Sequence, residues 1–181
     1  MKFLGRIMLF FGSVLAMITA QIFIINFLPY PFNQINFIFS ILLALITAGA
    51  VKKVFWLALA VFYFSDLFSG APFGLGIASA LISLLFIRWL QFNIFTNRSV
   101  YMVFLSALIG LALYRFLFIA FLTANNYFTG QTMGYYGQIS AEALWEIGLS
   151  SSMLFIFYIL RYKVFGQGIN GSVRAKEIYM G

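Results

Sequence analysis

The chain has no cysteine and no histidine, and only four of its 181 residues are acidic. These absences exclude disulfides, thiolate or imidazole metal sites and a nucleophile activated by histidine. Charged residues make up 8% of the chain, whereas a soluble domain averages about 25%. So few charges would not cover a soluble surface, and a hydrophobic fraction of 64% excludes a disordered chain. The composition therefore predicts an all-α integral membrane protein without a metal or a cofactor.

Apolar runs divide the chain into six predicted transmembrane helices, because a helix needs about 20 apolar residues to cross the hydrocarbon. The predicted spans cover residues 7–28, 36–51, 54–68, 72–89, 100–124 and 141–160. Pro29 and Pro31 end the first span, and Asn36 is the expected cap of the second. The second and third spans are short, which favours a tight antiparallel hairpin. We expect a single six-helix bundle over residues 1–165 and a flexible cytoplasmic tail over 166–181.

The basic residues indicate how the bundle is oriented. With six spans, ten of the eleven lysines and arginines fall on one face, namely Lys2, Arg6, Lys52, Lys53, Arg88, Arg98, Arg161, Lys163, Arg174 and Lys176. Basic residues favour the cytoplasmic side, so both termini are predicted to be cytoplasmic. Topology and contact with anionic lipids explain the net charge of +7, and no module typical of nucleic-acid binding is visible.

The connection between the third and fourth spans, residues 66–74, lies on the opposite, outer face. Asp66 is unfavourable at the C-terminal end of a helix unless another group satisfies it. Gly70 and Gly74 permit sharp turns, and Pro72 suits the first position of the following helix. We therefore predict that the Asp66 carboxylate accepts the amides that open the fourth helix and fixes a rigid turn. Contact of this loop with a ligand or a partner is the alternative.

This turn carries a resemblance to a known family. Its D-x-x-S-G-x-P-x-G string resembles that of the MreD family of bacterial rod shape-determining membrane proteins, and the matching residues are Asp66, Ser69, Gly70, Pro72 and Gly74. The resemblance implies a non-enzymatic scaffold of the cell-elongation machinery in the bacterial cytoplasmic (inner) membrane. The implied partners are an MreC-like periplasmic scaffold protein and membrane proteins of peptidoglycan synthesis. It also implies a six-helix layout like that of the substrate-binding subunits of energy-coupling-factor importers.

Two opposite charges, Arg115 and Glu146, lie away from the ends of predicted spans. Arg115 is about 22 Å along the fifth span, and charges at such depth are usually paired or face a cavity. Glu146 lies at a compatible depth in the sixth span, which predicts an Arg115–Glu146 pair with Glu142 or Asp66 nearby. Glu142 also suits the first turn of a helix capped by Ser140. A purely structural pair and a functional polar pocket both stay open.

Small residues recur every four positions on the first helix, at Gly12, Ala16 and Ala20. Such a stripe allows close approach of helices in lipid. We expect it to pack inside the bundle, and contact with another membrane subunit is the alternative.

Two functions remain after these observations. The first is the MreD-like scaffold, which acts through contacts. The alternative is a substrate-binding subunit of an energy-coupling-factor type vitamin or small-molecule importer, in which Asp66, Arg115, Glu142 and Glu146 would line an outward pocket. An intramembrane enzyme is not expected, because no nucleophile, base and metal set is visible.

Overall fold

The computed structural model describes residues 2–69, 71–94, 100–130 and 136–165, and in these ranges the chain is all-helical, with no strand. The α-helices are α1 (Lys2–Phe27), α2 (Phe37–Thr47), α3 (Val51–Phe68), α4 (Leu75–Asn93), α5 (Val100–Thr129) and α6 (Tyr136–Phe165). A short 3-10 turn, Phe32–Gln34, separates α1 from α2. The predicted all-α class is confirmed, and the predicted tail 166–181 lies outside the described residues.

Among the described residues, four helical segments are long and apolar enough to cross a membrane: Met8–Phe27, Leu75–Asn93, Tyr101–Thr129 and Ala141–Leu160. These long apolar helices are what a membrane protein requires. α2 is too short, since 11 residues extend about 16 Å. α3 has 18 residues but carries three charges, at Lys52, Lys53 and Asp66.

The boundaries of the predicted hairpin need correction. α2 ends at Thr47 and not at residue 51, because Gly49 adopts a φ of +87° and turns the chain back. α3 begins at Val51 and not at residue 54, so Lys52 and Lys53 lie in its first turn and not in the loop. The hairpin itself is tight, as expected.

The start of the fourth helix was also predicted wrongly. α4 begins at Leu75, because Gly74 occupies the N-cap position with a φ of +95°, and Pro72 lies in the turn before it. The first and fourth helices extend further toward the basic end of the bundle than predicted, beginning at Lys2 and ending at Asn93.

The outer loop between the last two helices is shorter than predicted. α5 continues to Thr129, and the helix ends where Gly130 adopts a φ of +68°. α6 begins at Tyr136, so Ser140 lies within the helix and not at its N-cap. Residues 125–129 and 136–140, which lie between the predicted spans, are therefore helical.

The shortest helix, α2, lies at the centre of the bundle. It contacts α1, α3, α4, α5 and α6, while the chain neighbours α3–α4, α4–α5 and α5–α6 pack against each other around it. Phe39 and Leu42 are fully buried on α2, and the ring of Tyr114 from α5 stacks on Phe39 with 4.9 Å between ring centroids. The core therefore forms around a helix that is itself too short to span a membrane.

The small-residue stripe of α1 does not pack inside the bundle, so the expectation of internal packing is wrong. Val14 and Met17 are the buried residues of α1, which contacts α2 and α3, whereas Gly12 and Ala16 are exposed and Ala20 is half-buried. The larger side chains of Val14 and Met17 face the core. The face of α1 that carries the small-residue stripe therefore points away from it.

Helices α4 and α5 approach closely at Gly110. A Cβ atom at this position would lie 2.9 Å from Cγ1 of Ile87, a side chain that is fully buried. Gly148 on α6 has no atom within 4 Å of its Cβ position, so it offers a matched control.

We expect Gly110→Ala to lower the free energy of unfolding by about 1–3 kcal/mol, because an overpacked core must shift. Gly148→Ala should leave it unchanged or raise it slightly, since alanine favours helix. Thermal unfolding in detergent measures both. Equal midpoints for Gly110→Ala and the parent protein would contradict the close packing.

Candidate functional site

The N-terminus of α2 is only partly accessible, and its first amides need hydrogen-bond partners. The leading amides of a helix have no partner within it, and lipid offers none. Oε1 of Gln21, on α1, accepts from the amides of Phe37 and Ile38 at 2.8 and 3.3 Å. Oδ1 of Asn36 accepts from the amide of Phe39 at 2.9 Å, which confirms the predicted cap.

Asn36 also connects this helix end to the charged pair. Its Nδ2 donates to Oε1 of Glu146 at 2.7 Å, and its backbone amide donates to Oγ of Ser150 at 2.8 Å. Nε of Arg115 donates to the other carboxylate oxygen of Glu146. The predicted Arg115–Glu146 pair is therefore present, and both oxygens of Glu146 have partners. We call Gln21, Asn36, Arg115, Glu146 and Ser150 the polar network.

The polar network is enclosed largely by apolar side chains. Glu146 is 3% exposed, whereas the side chain of Arg115 is 21% exposed. The guanidinium carbon of Arg115 lies 5.9 Å from the ring centroid of Phe118, within the range of a cation–π contact. Tyr114, the residue before Arg115, is also buried. In such surroundings a carboxylate without a cation is strongly unfavourable, so loss of Arg115 should destabilise the bundle.

Of the two other acidic residues predicted near the pair, Glu142 lies one turn before Glu146 and is exposed on α6, and the two carboxylates are close enough to interact electrostatically. Asp66 is buried, but its carboxylate is engaged at the turn between α3 and α4. The structure therefore brings together Arg115 and Glu146 and leaves Glu142 at the surface.

At the turn that the sequence predicts to be outer, Asp66 joins the end of α3 to the start of α4. Its Oδ2 accepts from the amides of Gly74 and Ile77 at 3.0 and 3.2 Å, which are the amide contacts that the sequence predicts. A Cβ atom at Gly76 would lie 2.1 Å from Oδ1 of Asp66. Only glycine therefore lets the carboxylate approach the backbone of α4 this closely. We call this arrangement the Asp66 clamp.

The remaining motif residues shape the same turn. Oγ of Ser69 donates to the carbonyl of Asp66 at 3.2 Å and accepts from the amide of Ala71 at 3.3 Å. The positive φ of Gly74 requires glycine, and Pro72 precedes it. Gly70 lies outside the described residues.

Three residues of these sites were missed from the sequence. Gln21 and Ser150 are polar side chains within predicted spans, and that position was the signal that could have identified them. Gly76 lies in the first turn of α4. A glycine at that place, after a carboxylate at the preceding helix end, indicates a close approach of the two.

The arrangement of these groups favours a positioning role. In the part of the chain that the structure describes, no group of three acidic or other metal-binding side chains is close enough to hold a metal ion. The polar network holds α1, α2, α5 and α6 together, and the Asp66 clamp holds α3 to α4. The buried carboxylates of Asp66 and Glu146 each contact partners within the chain.

We expect Arg115→Ala to destabilise the protein by about 3–5 kcal/mol, because Glu146 loses its cation while it stays buried. Arg88→Ala removes an exposed arginine and should have little effect. The double variant Arg115→Ala/Glu146→Gln should recover part of the loss, since glutamine keeps an acceptor for Asn36. Thermal unfolding in detergent tests this. A double variant less stable than Arg115→Ala would contradict the pairing.

We expect Gly76→Ala to displace the Asp66 carboxylate and to lower stability by about 3 kcal/mol, through weakened hydrogen bonds to a charged group. Gly12→Ala, where the Cβ meets open space, serves as the control. In an Asp66→Ala background, Gly76→Ala should cost much less, and this non-additivity identifies the contact. Additive effects on the unfolding midpoint would show that the clamp is not the cause.

Comparison with known proteins finds no family model, no curated protein and no solved structure that matches the chain. Its function must therefore be argued from the residues and the geometry given above.

Proposed function

We propose that the chain crosses the membrane six times with both termini in the cytoplasm of a bacterium. The six helices follow one another through short connections, and α3–α4, α4–α5 and α5–α6 pack against each other as chain neighbours. Exposed basic residues support the orientation, because Lys52 and Lys53 at the start of α3 and Arg88 near the end of α4 lie toward the same end of the bundle. α2 is surrounded by the other helices, so it does not have to match the thickness of the bilayer.

We propose that the protein is a non-enzymatic scaffold subunit of the MreD type, acting in the rod-shape machinery. The observation that carries this proposal is the Asp66 clamp. A buried carboxylate fixes the backbone of the MreD-like turn, while the ring of Phe73 in that turn is 56% exposed. A rigid turn that presents an apolar ring loses little entropy when it binds a partner.

The proposed partners are an MreC-like periplasmic scaffold protein at the outer turn and membrane proteins of peptidoglycan synthesis at the helix faces. The outward rotation of Gly12 and Ala16 on α1 supports a helix contact, since small residues allow another helix to approach. Anionic lipids are the proposed contact of the cytoplasmic face.

The second candidate is the substrate-binding subunit of an energy-coupling-factor type importer. The polar network favours it, because transporters place polar groups beside interrupted helices near the membrane midplane. Arg115 lies near the middle of α5, and α2 begins beside it. This candidate ranks second because these polar groups are already paired with one another.

The test is to extract the protein gently from native membranes and to identify by mass spectrometry what co-purifies. We expect a periplasmic coiled-coil protein or wall synthases. Phe73→Ala should reduce their recovery about tenfold if the ring is a central contact. Phe92→Ala, which removes an 84% exposed ring at the other end of α4, should not reduce it.

Two results would overturn the scaffold proposal. Recovery of an ATPase with a coupling subunit, or of a bound vitamin, would establish the second candidate. Equal recovery with Phe73→Ala and Phe92→Ala would exclude the outer turn as the contact.

A further inference from the structure

The membrane-facing helices differ in apolar height. The apolar segments Met8–Phe27 of α1 and Ala141–Leu160 of α6 each have 20 residues, or about 30 Å, which matches the hydrocarbon thickness of a typical bilayer. The apolar part of α3 covers residues 54–68 and is about 22 Å long. α1 packs on α3, so the change in height occurs across one helix interface.

One face of α3 is uncovered along its whole length. Trp56, Leu59, Tyr63 and Leu67 are 43–68% exposed, and their spacing puts them in one stripe. Asp66 does not interrupt this stripe, because its carboxylate is buried against α4. The stripe therefore faces lipid if α3 crosses the membrane.

Polar and aromatic residues mark where this apolar face ends. The exposed Lys52 and Lys53 begin α3, and Trp56 lies one turn further. On α4, the exposed Arg88 is followed by Trp89, which is 54% exposed. Tryptophan beside basic residues is typical of the membrane–water interface.

Trp89 lies at about the same height as Trp56, although the apolar segment of α4 continues to Asn93. Trp56 lies about 18 Å before the end of α3, and Trp89 about 21 Å after the start of α4. Both are therefore at a similar distance from the outer turn. Lysine side chains that reach toward the headgroups recover a few Å, and helix tilt shortens the span further. Several Å of mismatch with a bilayer of about 30 Å remain.

We propose that the exposed face of α3 lies in locally thinned bilayer and selects lipids with short acyl chains and anionic headgroups. The short chains match the apolar height of α3, and the headgroups pair with Lys52, Lys53 and Arg88. The inference rests on the six-span arrangement, because α3 must cross the membrane. It does not depend on the proposed role in cell shape.

The test compares two variants of the full chain that each keep one tryptophan. Trp56 reports on α3, and Trp145, 45% exposed on α6, reports on a helix of full height. Each variant is reconstituted in oleoyl lipid mixed with brominated lipid of short chain length, which quenches tryptophan on contact. Quenching is normalised to that in a bilayer of the brominated lipid alone.

We expect the short-chain lipid to be enriched about twofold at Trp56 relative to Trp145, since mismatch costs fractions of a kcal/mol per Å. Equal enrichment at the two tryptophans would overturn the proposal. Lys52→Leu/Lys53→Leu, which extends the apolar face, should abolish the enrichment. Lys52→Gln/Lys53→Gln keeps a polar end, so the chain-length preference should persist while any preference for anionic headgroups weakens.

A labelling control tests whether α3 crosses the membrane. The chain has no cysteine, so Phe68→Cys provides a single site at the outer end of α3. An impermeant maleimide should label it in intact spheroplasts. Labelling only after lysis would overturn the inference together with the six-span arrangement. Failure of the lipid preference alone would leave the co-purification test of the scaffold proposal unaffected.

Discussion

The structure depends on one constraint: α2 begins within the bundle, where its leading amides need partners that lipid does not provide. Gln21 and Asn36 supply those acceptors, and Asn36 is in turn held by Glu146. Glu146 is tolerated in the interior because Arg115 neutralises it. The central helix, the cap and the buried charge pair therefore stabilise one another, and the loss of one member leaves polar groups of the others unsatisfied.

The Asp66 clamp solves the same problem at the turn between α3 and α4. A carboxylate at the C-terminal end of α3 is unfavourable by itself, but the amides that open α4 satisfy it. This close approach requires glycine at position 76, since a side chain there would overlap with the carboxylate of Asp66. Asp66 thus fixes backbone directly, whereas Glu146 holds the side chains of Arg115 and of Asn36, the residue that caps α2. Because the helices differ in apolar height, the bilayer itself is also proposed as a partner of the bundle.

Much of this could be predicted from local chemistry. Asn36 was identifiable as a cap, and the depth of Arg115 and Glu146 predicted their pairing. The errors share one physical origin. Helix ends were placed where polarity changed, whereas the helices end at glycines with positive φ, earlier than predicted before Gly49 and later than predicted before Gly130. Polarity reports the solvent around a helix and not the conformation of its backbone.

The sequence by itself determined the all-helical class, the excess of apolar surface and the residue types that must pair in a medium without water. Only the tertiary structure decided which faces are used. Spacing places Gly12, Ala16 and Ala20 in a line, but the packing of Val14 and Met17 turned that line outward. The sequence likewise did not show that the shortest helix is central, or that Gln21 reaches its first amides. These contacts join residues that are distant in the chain, so no local pattern encodes them.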